Sequence, residues 1–178
     1  MHRVFMDDAF GDAHDDHVAT PSEQVFREAM SRVPGAVHVI TTAGAAGRMG
    51  FTATSVTAVS DGPPTLLVCL NRASQILPVL EANGVFCVNL LPGNEEALAD
   101  VFAGRTGVFG ADRFRTGGWT TLDTGAPALV TARAAMDCRL VEAIDAATHR
   151  ILIGEVRALA MGAEGDSLVY KGRRYHAL

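Results

Sequence analysis

No apolar run in the 178 residues approaches the ~18–20 that a membrane helix needs. No basic, apolar leader opens the chain, so the sequence reads as a cytoplasmic protein without a membrane anchor. There is no basic surplus either: the net charge is −5, with a single lysine, Lys171, and no stripe of cations to neutralise phosphates, which argues against a nucleic-acid partner. The three cysteines (Cys69, Cys87 and Cys138) include no C-x-x-C pair, and each sits among apolar neighbours. That arrangement disfavours a zinc site or a redox dithiol and predicts buried, reduced thiols. Absent too are the nucleophile elbow G-x-S-x-G, the zinc helix H-E-x-x-H and the P-loop. No G-x-G-x-x-G follows a strand, so any dinucleotide chemistry must use a frame other than a Rossmann unit.

What is present is an apolar fraction of 48%, enough for one sizeable core and too much for a disordered chain. Charge is uneven. Residues 1–18 carry Asp7, Asp8, Asp12, Asp15 and Asp16 against Arg3, while the remainder is close to neutral. With His2, His14 and His17 interspersed, this stretch can be read as a metal tail or as a flexible, solvated acidic arm, and the arm is the better reading. Residues 19–178 then form one domain.

Thr20, Pro21 and Glu23 make a capping box that predicts a helix, with Phe26, Met30 and Val33 on one face and Pro34-Gly35 as its end. The texture then turns to strands: Val37–Thr42, a Gly44–Gly47 turn, and a long stretch from Arg48 to Ser60 closed by Asp61-Gly62-Pro63-Pro64. Thr65–Asn71 and Val85–Leu91 read as buried strands. Between them Ser74 is placed to cap a short helix stopped by Gly84, and Asn94 to cap another that carries Leu98, Val101 and Phe102. Gly104–Gly118 reads as a mobile loop bearing Arg105, Arg113 and Phe114. Ala132–Ala143, Thr148–Met161 and Ser167–Tyr175 complete six or seven strands. Without strand–helix alternation, the pattern predicts a mainly β fold, an antiparallel barrel with outer helices.

Four segments attract chemical interest. Gly50–Ser60 is a strand of small and hydroxyl-bearing residues, suited to a flat ring lying on the backbone, or simply a threonine-rich edge strand. Asn71-Arg72-Ala73-Ser74 sets an arginine at a helix start, as a phosphate site or as an ordinary cap. Asn89, an amide inside FCVNLL, needs partners that backbone groups or a ligand would supply. His149 opens the THRILIGEV strand as a ligand contact or a strand-end residue.

Taken in order, GFTATSVTAVSDGPPTLLVCLNR (50–72), FCVNLL, the Asp112-Arg113-Phe114 loop and THRILIGEV resemble the short-chain flavin reductase family. These are the reductase components of two-component flavin-dependent monooxygenases, such as that of 4-hydroxyphenylacetate 3-monooxygenase, and the resemblance spans about Phe26 to Tyr175. It implies a Greek-key split β-barrel, a homodimer, and reduction of FAD or FMN by NADH or NADPH for a flavin-dependent monooxygenase partner. It implies that Thr52, Ala53, Thr54 and Ser55 line the isoalloxazine and ribityl, and that Asn71, Arg72 and Ser74 hold phosphate. Asn89 and Leu90 then flank the flavin, Arg113 and Phe114 cover the adenylate end, and His149, with Tyr175, lies on the nicotinamide side. Family members often carry Gly-Asp-His where this chain has Ala147-Thr148-His149, so a carboxylate beside the histidine would have to come from Asp145. Two rivals share the architecture: a non-enzymatic flavin carrier and a pyridoxamine-phosphate-type oxidase.

Overall fold

The structure, a computed structural model, describes residues 20–178; the acidic arm expected at 1–18 lies outside the described residues. Its elements are α1 (Glu23–Ser31), β1 (Gly35–Ala36), β2 (His38–Thr42), β3 (Met49–Ala53), β4 (Val56–Asp61), β5 (Pro64–Asn71), α2 (Ile76–Asn83) and β6 (Val85–Leu90). They continue with α3 (Glu96–Phe102), a 3-10 turn (Gly110–Arg115), β7 (Trp119–Thr121), β8 (Pro127–Leu129), β9 (Ala134–Ala146), β10 (His149–Met161), β11 (Leu168–Lys171) and β12 (Arg174–Ala177). The fold is mainly β, as the strand-rich sequence predicts. Seven strands form one antiparallel sheet in the order β3-β2-β6-β9-β10-β5-β4, and β1-β11-β12 and β7-β8 form two small ones. Among the described residues no helix is long and apolar enough to cross a membrane.

Several local expectations shift. The N-cap of α1 is Ser22, whose side chain accepts from the Val25 amide, and not Thr20. Phe26 and Met30 lie in α1, but the helix ends at Ser31, before Val33, and none of its residues is buried. The helix is held to the body by its end, where the Ser31 carbonyl accepts from Gly172 and Glu28 pairs with Arg173. Arg48–Ser60 is two strands, β3 and β4, because the chain turns at Thr54-Ser55. There Ser55 bonds both backbone groups of Cys69: the Ser55 carbonyl accepts from the Cys69 amide, and its hydroxyl donates to the Cys69 carbonyl. Ser167–Tyr175 is likewise a hairpin, β11–β12, turned at Gly172-Arg173. The loop after α3 is not featureless, since Arg113 donates to the carbonyls of Val108, Gly50 and Phe102.

Packing follows the two faces of the large sheet. Ile40, Phe51, Leu66, Val68, Leu80, Phe86 and Leu152 fill one side; Val37, Val39, Leu91, Leu98, Phe102 and Phe114 fill the other. Gly84 adopts φ 67°, the left-handed conformation that closes α2. Gly154 is needed for space: a Cβ there would lie 2.4 Å from Phe86 Cζ. Asn83 locks α2 to the β2–β3 turn by accepting from the Ala46 amide and donating to Thr42 Oγ1 and the Gly47 carbonyl.

Candidate functional site

β3 ends at the surface, and its last residues floor a cleft. Thr52, Ala53 and Thr54 meet Val37, Ala103, Arg105, Tyr170 and Tyr175 around a hollow of about 170 Å³. A second hollow of about 480 Å³ shares Thr54 and Tyr170, and runs on to Ser55, Gly35, Met30 and Arg173 under α1. Small residues on β3 leave room for a flat ring, and two tyrosines supply the opposite wall. Tyr170 and Tyr175 are cross-strand partners in β11–β12, with ring centroids 5.2 Å apart.

The tyrosine wall carries a polar cluster. Tyr175 donates its hydroxyl proton to Asp100 at 3.0 Å, while Arg105 Nη1 donates to Asp100 at 2.8 Å and to the Tyr175 oxygen at 3.3 Å. Burial, together with the Asp100 carboxylate, pushes the Tyr175 hydroxyl up to about 12, so it stays protonated at neutral pH. Asp100 sits in α3 and Arg105 just beyond it, after Gly104 turns the chain at φ 76°. Thr52 donates its hydroxyl proton to the Ala99 carbonyl at 2.7 Å.

The other predicted residues fall into three places. Asn71, Arg72 and His149 gather where β5 meets β10: His149 pairs with Asn71 in register, and the Arg72 amide donates to Thr148. Asn71 accepts from the Ala73 amide, and Arg72 reaches Asp145 at 3.6 Å and the Ala147 carbonyl at 3.4 Å. His149 is exposed, with Nδ1 2.9 Å from Thr148 Oγ1. Asp145 does not support it; that carboxylate belongs to Arg150, at 2.7 Å, whose hydrogen bond holds it below the usual carboxylate range.

Ser74 and Arg113 line a separate hollow of about 270 Å³ with Met49, Gly50, Gln75 and Phe109. Ser74 Oγ accepts from the Ile76 amide as a helix-start contact. Phe114 is turned into the core: it is buried against Phe102 and Trp119, with the Arg48 guanidinium 4.0 Å above its ring. Arg113 is committed to backbone carbonyls, as described, so both residues anchor the loop.

Asn89 is fully buried, and its amide is spent on the protein. Nδ2 donates to the Val39 carbonyl at 3.0 Å and Oδ1 accepts from the Leu129 amide at 2.7 Å. The ligand role is therefore replaced by a structural one, tying β8 to β2 and β6. Leu90, half-buried, stands opposite His38 and Ala134. His38 is itself unusual: among the described residues, its Nδ1 is the buried side-chain polar atom without a partner, and burial pushes its pKa down to about 4.

The sequence pattern missed Tyr170, Asp100 and the cleft role of Arg105. Tyr170 and Tyr175 flank the Gly172 turn at spacing that makes them cross-strand neighbours, a signal readable only once residues 167–175 are split into a hairpin.

Comparison with known proteins supplies the family. The model of the flavin reductase like domain matches residues 30–178. An FMN reductase (NADH) of Methylorubrum extorquens is 51% identical over 157 residues, covering 88% of this chain and 90% of that protein. The flavin reductase component of a bacterial two-component tryptophan halogenase superposes with a TM-score of 0.82 at 30% identity, covering 88% of this chain and 98% of the other. An NADH:FAD oxidoreductase of Streptomyces globisporus superposes at 0.81 with 28% identity, covering 89% and 95%. A family match across nearly all the described residues, on the same strand framework, means that this chain belongs to the flavin reductase like domain family.

Proposed function

We propose that the protein is an NADH-dependent flavin reductase that takes up FMN or FAD in the β3 cleft and releases reduced flavin to a flavin-dependent monooxygenase. The observation that carries this reading is the cleft itself: a floor of small residues, a tyrosine wall and one arginine, in a chain half identical to an NADH-dependent FMN reductase. The residues fit a flavin. Ala53 and Thr54 leave the backbone open to a ring, and the hollow beyond Thr54 has room for a ribityl chain. Asn71, Arg72 and Ser74 remain the phosphate-holding candidates, with Ser74 on the hollow it shares with Arg113.

A flavin held there would supply the two-electron acceptor for a nicotinamide hydride, and hydride transfer alone leaves the reduced ring anionic. The chain's own contribution is positional. Thr52–Ser55 and the tyrosines orient the ring and keep water from one face, and His149 orients the nicotinamide. No side chain is assigned as an acid or base. Delivery to a monooxygenase is supported by the halogenase reductase component among the structural relatives.

A symmetric dimer belongs to the same reading. The apolar face of α1 (Val25, Phe26, Met30) and Val141, Ile144, Leu159 and Met161 of β9–β10 are exposed in the single chain. NADH oxidation in the presence and absence of added FMN tests the activity. Turnover that depends on added flavin is expected; NADH left unchanged by flavin-saturated protein would hand the site to the carrier reading.

A further inference from the structure

Arg105 is the cation of the cleft's tyrosine wall, and its surroundings define what it can recognise. Asp100 holds Nη1 at 2.8 Å and the Tyr175 hydroxyl lies 3.3 Å from the same nitrogen. The Tyr170 and Tyr175 rings lie 5.9 and 5.7 Å from its central carbon. A guanidinium has five N–H donors in a fixed fork, so even with Asp100, Tyr175 and Tyr170 as partners it keeps donors for a ligand. The side chain is half exposed, at 51%, and therefore reachable by a ligand.

Two ligand groups would suit an arginine here: a phosphate, or the electron-rich N1–C2=O edge of a flavin pyrimidine ring. The observations favour the second. Asp100 fixes the guanidinium beside the rings, so it offers directed donors and not a mobile point charge. The cleft next to it is a slot of about 170 Å³ lined by Val37, Ala53 and Ala103 and walled by aromatic rings, which suits a flat ring better than a hydrated phosphate. Two-electron reduction places negative charge on that same edge of the ring, and a fixed cation beside it tunes the cofactor.

We propose that Arg105, held by Asp100 and Tyr175, is a flavin-contacting residue that hydrogen-bonds the N1–C2=O edge of the ring and favours its reduced, anionic form. This rests on the flavin reductase reading. Asp100 and Tyr175 are positioning residues, acting through the guanidinium.

The test is equilibrium binding of riboflavin and FMN, each oxidised and anaerobically reduced, to wild type, Arg105→Ala and Arg105→Lys, with a thermal melt of each variant. Arg105→Ala should weaken both oxidised flavins alike, about threefold, and both reduced flavins roughly a further tenfold, as loss of a charge-assisted bond to an anion requires. That further tenfold lowers the midpoint potential of bound flavin by about 30 mV, the two-electron equivalent. Arg105→Lys should recover most of the reduced-form affinity, since it keeps the charge. Equal loss for oxidised and reduced flavin would overturn the proposal. So would a loss confined to FMN, which would place Arg105 on the phosphate. A wild-type protein that bound neither riboflavin nor FMN would refute the flavin reading itself.

Discussion

Replacing Asn89 with alanine separates the structural from the ligand-binding role of the buried amide. The substitution strips the Leu129 amide of its 2.7 Å acceptor and the Val39 carbonyl of a 3.0 Å donor, in a site with no solvent access. Each stranded buried polar group costs ~1–3 kcal/mol, so the loss for the two is about 2–6 kcal/mol. In a chain of this length that lowers Tm by roughly 5–15 °C. Denaturant unfolding followed by circular dichroism measures the first figure and a thermal melt the second. Because the amide faces β8 and not the cleft, FMN titrated into Asn89→Ala at low temperature should bind within about twofold of wild type. An unchanged melt accompanied by a large loss of FMN affinity would refute the reasoning and restore Asn89 to the flavin site.

His149→Ala, at an exposed strand end beside Asn71, should reduce kcat/KM for NADH roughly five- to thirtyfold, the worth of one ~1–2 kcal/mol contact. Its FMN affinity should hold, and unchanged NADH kinetics would remove the histidine from the site. Gly154→Ala drives a Cβ to 2.4 Å from Phe86 and 3.0 Å from Cys138, so overpacking should destabilise by ~1–3 kcal/mol in urea unfolding. His38, neutral and buried with a pKa near 4, resists protonation in the folded state while the unfolded chain protonates near its ordinary value of 6.5. Its share of stability is therefore present above pH 6.5 and lost as pH falls toward 4, by about 3 kcal/mol in total. In His38→Asn the fall in stability over that interval should be shallower, and parallel curves would count against the assignment. Deleting residues 1–18 should leave flavin reduction near wild type, measured as NADH consumption.

Periodicity and turn chemistry placed β2, β5, β6 and β10 within a residue, because Pro63-Pro64, Gly84 and the β-branched runs are local signals, whereas the short β1, β7 and β8 left none. What escaped was tertiary. Ser22 outcompetes Thr20 as the cap, although both residue types suit the position. The split of Arg48–Ser60 depends on Ser55 finding Cys69, fourteen residues away, and no local rule reads that bond. The β3 part of the cleft was legible as an unusual composition. Arg105 and Tyr170 were not, since their place comes from a hairpin and from α3 folding back on β3. Asn89 shows the converse: an amide in an apolar strand announces partners, but only the fold reveals that Val39 and Leu129 are enough.

The cysteines bear on how such an enzyme survives its own chemistry. Reduced flavin that escapes its acceptor meets oxygen and yields peroxide, and peroxide attacks thiolates, not thiols. Burial, with Asp137 alongside, pushes the Cys138 thiol up to about 12 and Cys87 higher still. At neutral pH both therefore stay thiols. With that chemistry shut off and both side chains sealed in the core, these two sulfurs are poor targets for sulfenic acid formation. The packing that stabilises the sheet thus also keeps these two sulfurs from the oxidant that reduced flavin generates.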